Sequence, residues 1–323
     1  MGSPSAGGQI GHFLRAMVGN ARSQSVAESP RMSENTAKSE PEQRVAVYEP
    51  DLRRKTGFLR SLVEMSRNIW ISRELVWQLF RRDFLAVHRK AFLGVAWIVI
   101  SPIVGILSWI FMNSAGVLKP GDVGIPYPAY VLLGTTFWGL FMSFYSMAAD
   151  TLRAGQSFIM QVKYPHEALL AKQVLQSLAS FFFSLVVMAV GLLLFGVVPN
   201  WRIVFLPVLI IPMLLLGTAI GLFVSTVGVV ATEVRKFADL AVGLLIFFTP
   251  IIYSRTAAGE AYATLVRWNP LTYIVGGVRD IVAYGRLDRP DAFLLSALAS
   301  FVVFLVSWRM FYVLEEKIIE KMI

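Results

Sequence analysis

The chain has 323 residues, of which 56% are hydrophobic and only 16% charged, and its mean hydropathy is +0.61, well outside the range of soluble domains. The net charge of +9 raises nucleic acid as a partner, but half of the basic residues lie at or before Lys90, ahead of the first long apolar run, so the charge reads as membrane topology and no nucleic-acid partner is expected. Without cysteine there is no disulfide, thiolate metal site or cysteine nucleophile, and His12, His88 and His166 are too scattered to make a metal site.

Residues 1–56 are rich in Ser, Gly, Pro, Glu and Arg with no sustained apolar period, which predicts a disordered tail. The best candidate for a signal-peptide core, Ile10 to Val18, is interrupted by His12 and Arg15, so cleavage is not expected. Across 57–90 the pattern becomes helical. Leu75, Val76, Leu79, Phe80 and Val87 recur at three-to-four spacing opposite Gln78, Arg82 and Arg89, and Trp70 and Trp77 stand beside arginines. This predicts amphipathic helices in the headgroup layer; packing against a soluble partner gives the same pattern.

Residues 91–314 are expected to hold six transmembrane helices, each judged against the roughly 20 apolar residues that a bilayer core requires. Ala91 to Met112, Tyr127 to Ala149, Gln173 to Val198 and Ile203 to Val230 are the first four, with a tight turn at Pro199-Asn200-Trp201-Arg202 between the third and fourth. The fifth starts near Glu233 and is clearly apolar from Leu240 to Tyr253, where Pro250 predicts a kink near its outer end. The sixth runs from Ala292 to about Leu314. Between the last two, Ala257 to Arg267 and Leu271 to Ala283 are too short to span and are split by Trp268-Asn269-Pro270. They predict a re-entrant helical hairpin, because exposed backbone in lipid must be satisfied by protein or by an aqueous cavity. The fold class is therefore an all-α integral membrane protein.

Arg81, Arg82, Arg89 and Lys90 ahead of the first span place the N-terminus in the cytoplasm. Six crossings return the tail 315–323 to the same side. The last outer loop carries Arg255, Arg267, Arg279, Arg286 and Arg289, nearly balanced by Glu260, Asp280, Asp288 and Asp291.

No Gly-x-x-x-x-Gly-Lys-Ser/Thr phosphate loop occurs in the sequence, so ATP-derived energy would have to come from a partner. The centres of the first four spans lack ionisable residues, which disfavours an ion-coupled carrier. A membrane glycosyltransferase or acyltransferase is disfavoured because the first outer loop offers a single carboxylate, Asp122.

Five segments, in order, resemble the ABC-2 family of exporter permeases, particularly those for O-antigen, capsule and teichoic-acid polymers. They are LFRRDFLAVHRKAFLGVAWIVISPI (79–103), YPAYVLLGTTFWGLF (127–141), VKYPHEALLAKQV (162–174), EVRKFADLAVGLLIFFTPIIYS (233–254) and WNPLTYIVGGVRDIVAYGRL (268–287). The resemblance runs from about Leu75 to the end and does not include residues 1–56; His88 stands where the family commonly has an aromatic. It implies a homodimer bound to two copies of an ATP-binding cassette subunit, which hold ATP and Mg, and the transport of a lipid-linked polysaccharide across the bacterial inner (plasma) membrane. This chain would then bind no cofactor and not itself be an enzyme. An ABC-2 permease for a drug or small lipid is the nearest alternative.

Candidate sites follow, the coupling loop from the resemblance and the gate and conduit from the residues themselves. Coupling to the ATPase falls on Arg81, Arg82 and Asp83 of the surface helix, or on Lys163, Tyr164, Pro165, His166 and Glu167 in the loop before the third span. For the first group, pairing with lipid phosphate fits equally well. The gate falls on Pro250, Tyr253, Trp268, Asn269, Pro270 and Arg279. The substrate conduit falls on Trp97, Ser101 and Ser108 of the first span and on Trp138, Phe141 and Tyr145, which share one face of the second. Aromatic faces attract the C–H side of a pyranose with few directional bonds, so a polymer can slide; helix packing is the competing use of such a stripe.

Overall fold

The computed structural model describes residues 57–90, 96–152, 166–228, 231–255 and 260–322. The tail predicted over 1–56 lies outside them. Among the described residues all regular structure is helical. Two helices come first, α1 (Phe58–Ile71) and α2 (Arg73–Lys90), joined at Ser72. Then follow α3 (Ala96–Ser114), α4 (Tyr127–Ala149) and α5 (His166–Leu194). A 3-10 turn at Trp201–Phe205 and a one-turn helix at Leu206–Leu209 lead into α6 (Ile211–Gly228). The remainder comprises α7 (Thr232–Phe248), α8 (Glu260–Trp268), α9 (Pro270–Tyr284) and α10 (Pro290–Met322), the last continuing through the predicted C-terminal tail.

Among the described residues, four segments are long and apolar enough to cross a membrane: Tyr127–Ala149, Glu167–Leu194, Trp201–Gly228 and Pro290–Leu314. They match the second, third, fourth and sixth predicted spans to within a few residues at most ends; the third begins earlier, at Glu167. For the first predicted span the structure describes α3 over Ala96–Ser114, within which Ile103–Ser114 is the apolar stretch; residues 91–95 fall outside the described set. At 17 residues, α7 is about 25 Å long.

The second predicted span, α4, is the middle of the bundle. Of its apolar window 61% is buried, against 22% in α5 and 28% in α10. It packs on α6 and α5, while α6 packs also on α10. The α4–α6 contact depends on Gly217 and Gly221, one turn apart. A Cβ on Gly217 would stand 3.0 Å from the Phe141 carbonyl oxygen and 3.0 Å from Phe144 Cβ, and one on Gly221 would collide with the Tyr145 oxygen. Small residues at this spacing let helix backbones touch where the hydrophobic effect gives no preference for protein over lipid.

The amphipathic helices dock as their pattern requires. Met65 of α1 is fully enclosed among Ala148, Leu152, Leu170, Leu222, Trp308, Phe311 and Tyr312, at the C-terminal ends of α4, α6 and α10 and near the start of α5. Tyr312 Oη donates to Glu64 at 3.0 Å. On α2, Val76 and Leu79 are buried, while Trp77, like Trp70 of α1, is exposed.

Pro250 does not kink a continuing helix. The fifth predicted span stops at Phe248, and Thr249 takes an extended conformation (φ −113°, ψ 128°). A residue before proline is driven out of the helical region, and here the chain leaves the helix instead of bending it.

Candidate functional site

The short helices α8 and α9 stand where the sequence predicts two pieces too short to span, with Asn269 between them. Its side chain caps α9 by accepting from the Leu271 N–H at 3.0 Å, and Pro270 occupies the first helical position, where its missing N–H costs nothing. The same amide reaches back and donates to the Phe248 carbonyl at 3.0 Å and to Thr249 Oγ1 at 2.9 Å. The residue that breaks the hairpin thus also binds the end of α7.

Residues 249–254 carry carbonyls that no helix satisfies, and α4 and α9 supply the donors. Tyr127 Oη donates to Ile252 O at 3.1 Å, and Tyr130 Oη to Pro250 O at 3.1 Å and Tyr253 O at 2.8 Å. Arg279 Nη1 donates to Pro250 O at 2.9 Å, with its guanidinium 4.1 Å from the Tyr130 ring centre. Tyr253 Oη returns to Phe247 O at 2.8 Å. This answers the rule that irregular backbone at membrane depth must be satisfied by protein. Gly134 makes room for the segment, since a Cβ there would lie 2.8 Å from the Ile251 carbonyl oxygen. Of the gate residues, Pro250, Tyr253, Asn269, Pro270 and Arg279 therefore come together, whereas Trp268 is 82% exposed.

The loops after α3, α5 and α9 converge on this end. Ser254 N–H donates to Pro120 O at 2.7 Å, Asn200 N–H to Val282 O at 2.9 Å, and Tyr284 Oη to Val123 O at 2.9 Å. Arg202 donates to the carbonyl of Gly285, whose φ of 69° is the left-handed conformation that glycine accepts most readily.

At the opposite end of α4 lies an ionic cluster. Arg235 of α7 holds Asp239 through Nε at 2.8 Å and Asp150, just past α4, through Nη1 at 2.9 Å. Tyr145 Oη donates to Asp239 at 2.7 Å. Nearby, Asp83 of α2 accepts from Lys172 of α5 at 2.9 Å and from Arg82 at 2.8 Å. Burial works against ionisation of Asp83, but the hydrogen bonds from Lys172 and Arg82 outweigh it and hold the carboxyl below its ordinary value. Arg81 is exposed, and Glu167 is fully buried at the first turn of α5. Lys163, Tyr164 and Pro165, and the side chain of His166, lie outside the described residues.

Trp138, Phe141 and Tyr145 do share a face of α4, and that face is turned inward. Trp138 is 8% exposed and the other two 1% or less, with Trp138 and Phe141 in tilted contact at 5.3 Å. The opposite face is open. Thr135, Thr136, Gly139 and Ser143 line a cavity of about 390 Å3 with Gly105 of α3 and Ser177, Ser180 and Ser184 of α5. Thr135 and Thr136 donate to the carbonyls of Val131 and Leu132, and Ser143 to Ser177. Sequence reading missed this wall, although serines at 177, 180 and 184 recur at helical spacing within an apolar span. Ser108 is exposed and back-bonded to Val104; the side chains of Trp97 and Ser101 lie outside the described set.

The chain is 24% identical over 248 residues to the O-antigen export system permease protein RfbA of Myxococcus xanthus, covering 76% of this chain and 93% of that protein. Two proteins of the same name from Klebsiella pneumoniae are 22% and 20% identical, each covering 70% of this chain and 86% of its own length. The sequence profile of the ABC-2 type transporter family matches residues 74–283, from α2 to the end of the hairpin. With more than half of its length matched in this way, the chain belongs to the ABC-2 type transporter family.

Proposed function

We propose that this chain is the transmembrane permease subunit of an ATP-driven exporter that moves a lipid-linked polysaccharide of the O-antigen or capsule kind across the bacterial inner membrane. The observation that carries the reading is the match to O-antigen export permeases over 86–93% of their length. Two copies of the chain would assemble with two ATP-binding subunits, because the sequence has no phosphate-binding loop of its own. ATP and Mg would be held in those subunits. The chain crosses six times, with α3 and α7 as the first and fifth spans, the hairpin re-entering from the outside, and both termini in the cytoplasm.

The cytoplasmic end then carries coupling. Asp83 is where α2 is held to α5 by Lys172, and the segment Lys163 to Glu167 leads in sequence into α5, so a push on either would reach the third span directly. Pro250, Tyr253, Asn269, Pro270 and Arg279 form the outer gate, with Trp268 at its rim. The glycan wall is assigned to the open face of α4, Thr135, Gly139 and Ser143, together with Trp97, Ser101 and Ser108. The Thr135 and Ser108 protons are committed to backbone carbonyls and the Ser143 proton to Ser177, so these hydroxyls offer weak acceptors and no free donors, which lets sugar hydroxyls pass without a strong grip. Trp138, Phe141 and Tyr145 stiffen the helix behind that wall.

Deleting the gene in its host tests the reading. Surface polymer should disappear while lipid-linked glycan accumulates on the cytoplasmic face, and the wild-type gene should restore export. Undiminished surface polymer would overturn the assignment.

A further inference from the structure

Beside the clamped segment, at the end of the bundle where the loops converge, Arg255, Asp280, Tyr284, Arg286 and Asp288 enclose a separate cavity of about 170 Å3. The Asp280 side chain is nine-tenths buried, at 10% exposure, whereas Asp288 on the rim is 70% exposed. Arg255 Nη2 stands 3.4 Å from Asp288 and 3.8 Å from Asp280, and Arg279 Nε stands 3.9 Å from Asp280. Charge-assisted hydrogen bonds close to about 2.7–2.9 Å. These pairs stop short of that; Asp280 also accepts from the Asp288 backbone, but a carboxylate has further lone pairs, so both carboxylates and the Arg255 guanidinium keep bonding capacity toward the cavity. Tyr284 has spent its proton on Val123 but still offers an acceptor oxygen and a ring face.

The charge balance selects the ligand. Two arginines and two aspartates line the space, so an anion would be opposed by Asp280 and Asp288, and a cation by Arg255 and Arg286. A neutral group that donates and accepts in alternation satisfies both kinds of wall, and vicinal hydroxyls do this. The volume is below the roughly 300 Å3 at which pockets for drug-sized molecules begin, and it suits one six-membered ring with its C–H face against Tyr284. We infer that this cavity is an exit subsite for a single neutral pyranose residue of the exported polymer, held by Asp280, Asp288 and Arg255. The inference rests on the polysaccharide reading above and deepens it by naming the sugar class and the place of contact. The subsite lies outside the gate, where a weak hold would keep the chain from sliding back between strokes.

Saturation-transfer NMR on the full chain in lipid nanodiscs tests it, with methyl α-glucopyranoside and methyl α-mannopyranoside as probes and inorganic phosphate as competitor. Ring-proton signals should appear for at least one glycoside, phosphate at equal concentration should leave them unchanged, and Asp280→Asn should weaken binding roughly tenfold or more. Asp288→Asn, at an exposed position where folding is not at stake, should weaken it severalfold. No glycoside signal from wild type, displacement by phosphate, or equal binding by wild type and both variants would overturn the subsite. Host export separates the two readings. A chain that restores surface polymer but binds no pyranoside removes the subsite alone, and one that binds pyranoside while its deletion leaves the polymer intact removes the export reading alone.

Discussion

The side chains that matter most at the capped end are donors aimed at backbone. Tyr130 gives its one hydroxyl to two carbonyls, Pro250 and Tyr253, while Arg279 covers Pro250 from the other side. Tyr130→Phe keeps the ring under the guanidinium and removes only the hydroxyl, so the Tyr253 carbonyl loses a buried partner. We expect a loss of about 1 kcal/mol, since hydrogen bonds within membrane proteins contribute modestly, read as a lower midpoint of reversible unfolding in mixed micelles; an unchanged midpoint would show that water replaces the hydroxyl. Asn269 and Pro250 were legible in the sequence as breaks because their effects are local, although Pro250 ends the helix where a kink was expected. Tyr130 was not singled out, and for Arg279, placed at the gate, and for Arg235 no partner could be named. Their partners lie 120, 29 and 85 residues away, and no spacing rule reports a contact that depends on how whole helices stack.

At the scale of elements, the α4–α6 contact is set by what glycine leaves out. At Gly221 a Cβ would stand 2.6 Å from Ala148 Cβ and collide with backbone at Tyr145, and backbone cannot swing aside. Gly221→Ala should cost about 1–3 kcal/mol by overpacking, and Gly221→Leu should abolish monodisperse protein on size exclusion. Gly243→Ala, where nothing lies within 4 Å, should leave the stability of the single chain unchanged; equal behaviour of Gly221→Ala and Gly243→Ala would remove the close-packing account. The spacing Gly217-x-x-x-Gly221 stood in plain sight within an apolar run, and reading it would have given the helix pair directly. The aromatic stripe on α4 was read correctly as one face, but periodicity says only that residues share a face, and the face that Gly217 and Gly221 approach is the buried one. The docking of α2 carries a pH signature. Asp83 titrates below its ordinary value of 3.8, so it stabilises the α2–α5 contact at neutral pH, and that contribution disappears as the pH falls from about 3.8 through the lower folded value. Hydrogen exchange in α2 should therefore rise below about pH 4 in the wild type, whereas Asp83→Asn should exchange faster already at neutral pH and lose most of the acid dependence.

For the whole molecule the open quantity is the number of crossings, and it turns on α7. A helix of 17 residues reaches about 25 Å, some 5 Å short of a bilayer core of about 30 Å. If α7 crosses, the non-helical residues that follow Phe248 would make up that depth, and the donors from Tyr127, Tyr130, Asn269 and Arg279 would make such backbone tolerable there. Composition alone found the four long spans because their apolar runs are uninterrupted; it left α7 ambiguous because its first turns carry Glu233, Arg235, Lys236 and Asp239. If α7 crosses, the loops beside Val117, Trp201 and Trp268 share one side, and the surface helices with the foot of α7 share the other. The absence of native cysteine makes this a direct measurement. Single cysteines at Val117, Trp201 and Trp268, which are 71%, 71% and 82% exposed, should react in intact spheroplasts with a membrane-impermeant maleimide. Cysteines at Arg81 and Lys236, both exposed, should react only after permeabilisation. Labelling of Trp268→Cys from the same side as Arg81→Cys would mean that α7 does not cross and that the hairpin faces the cytoplasm, and the outer gate would then have to be sought among the ends of α3 and α4.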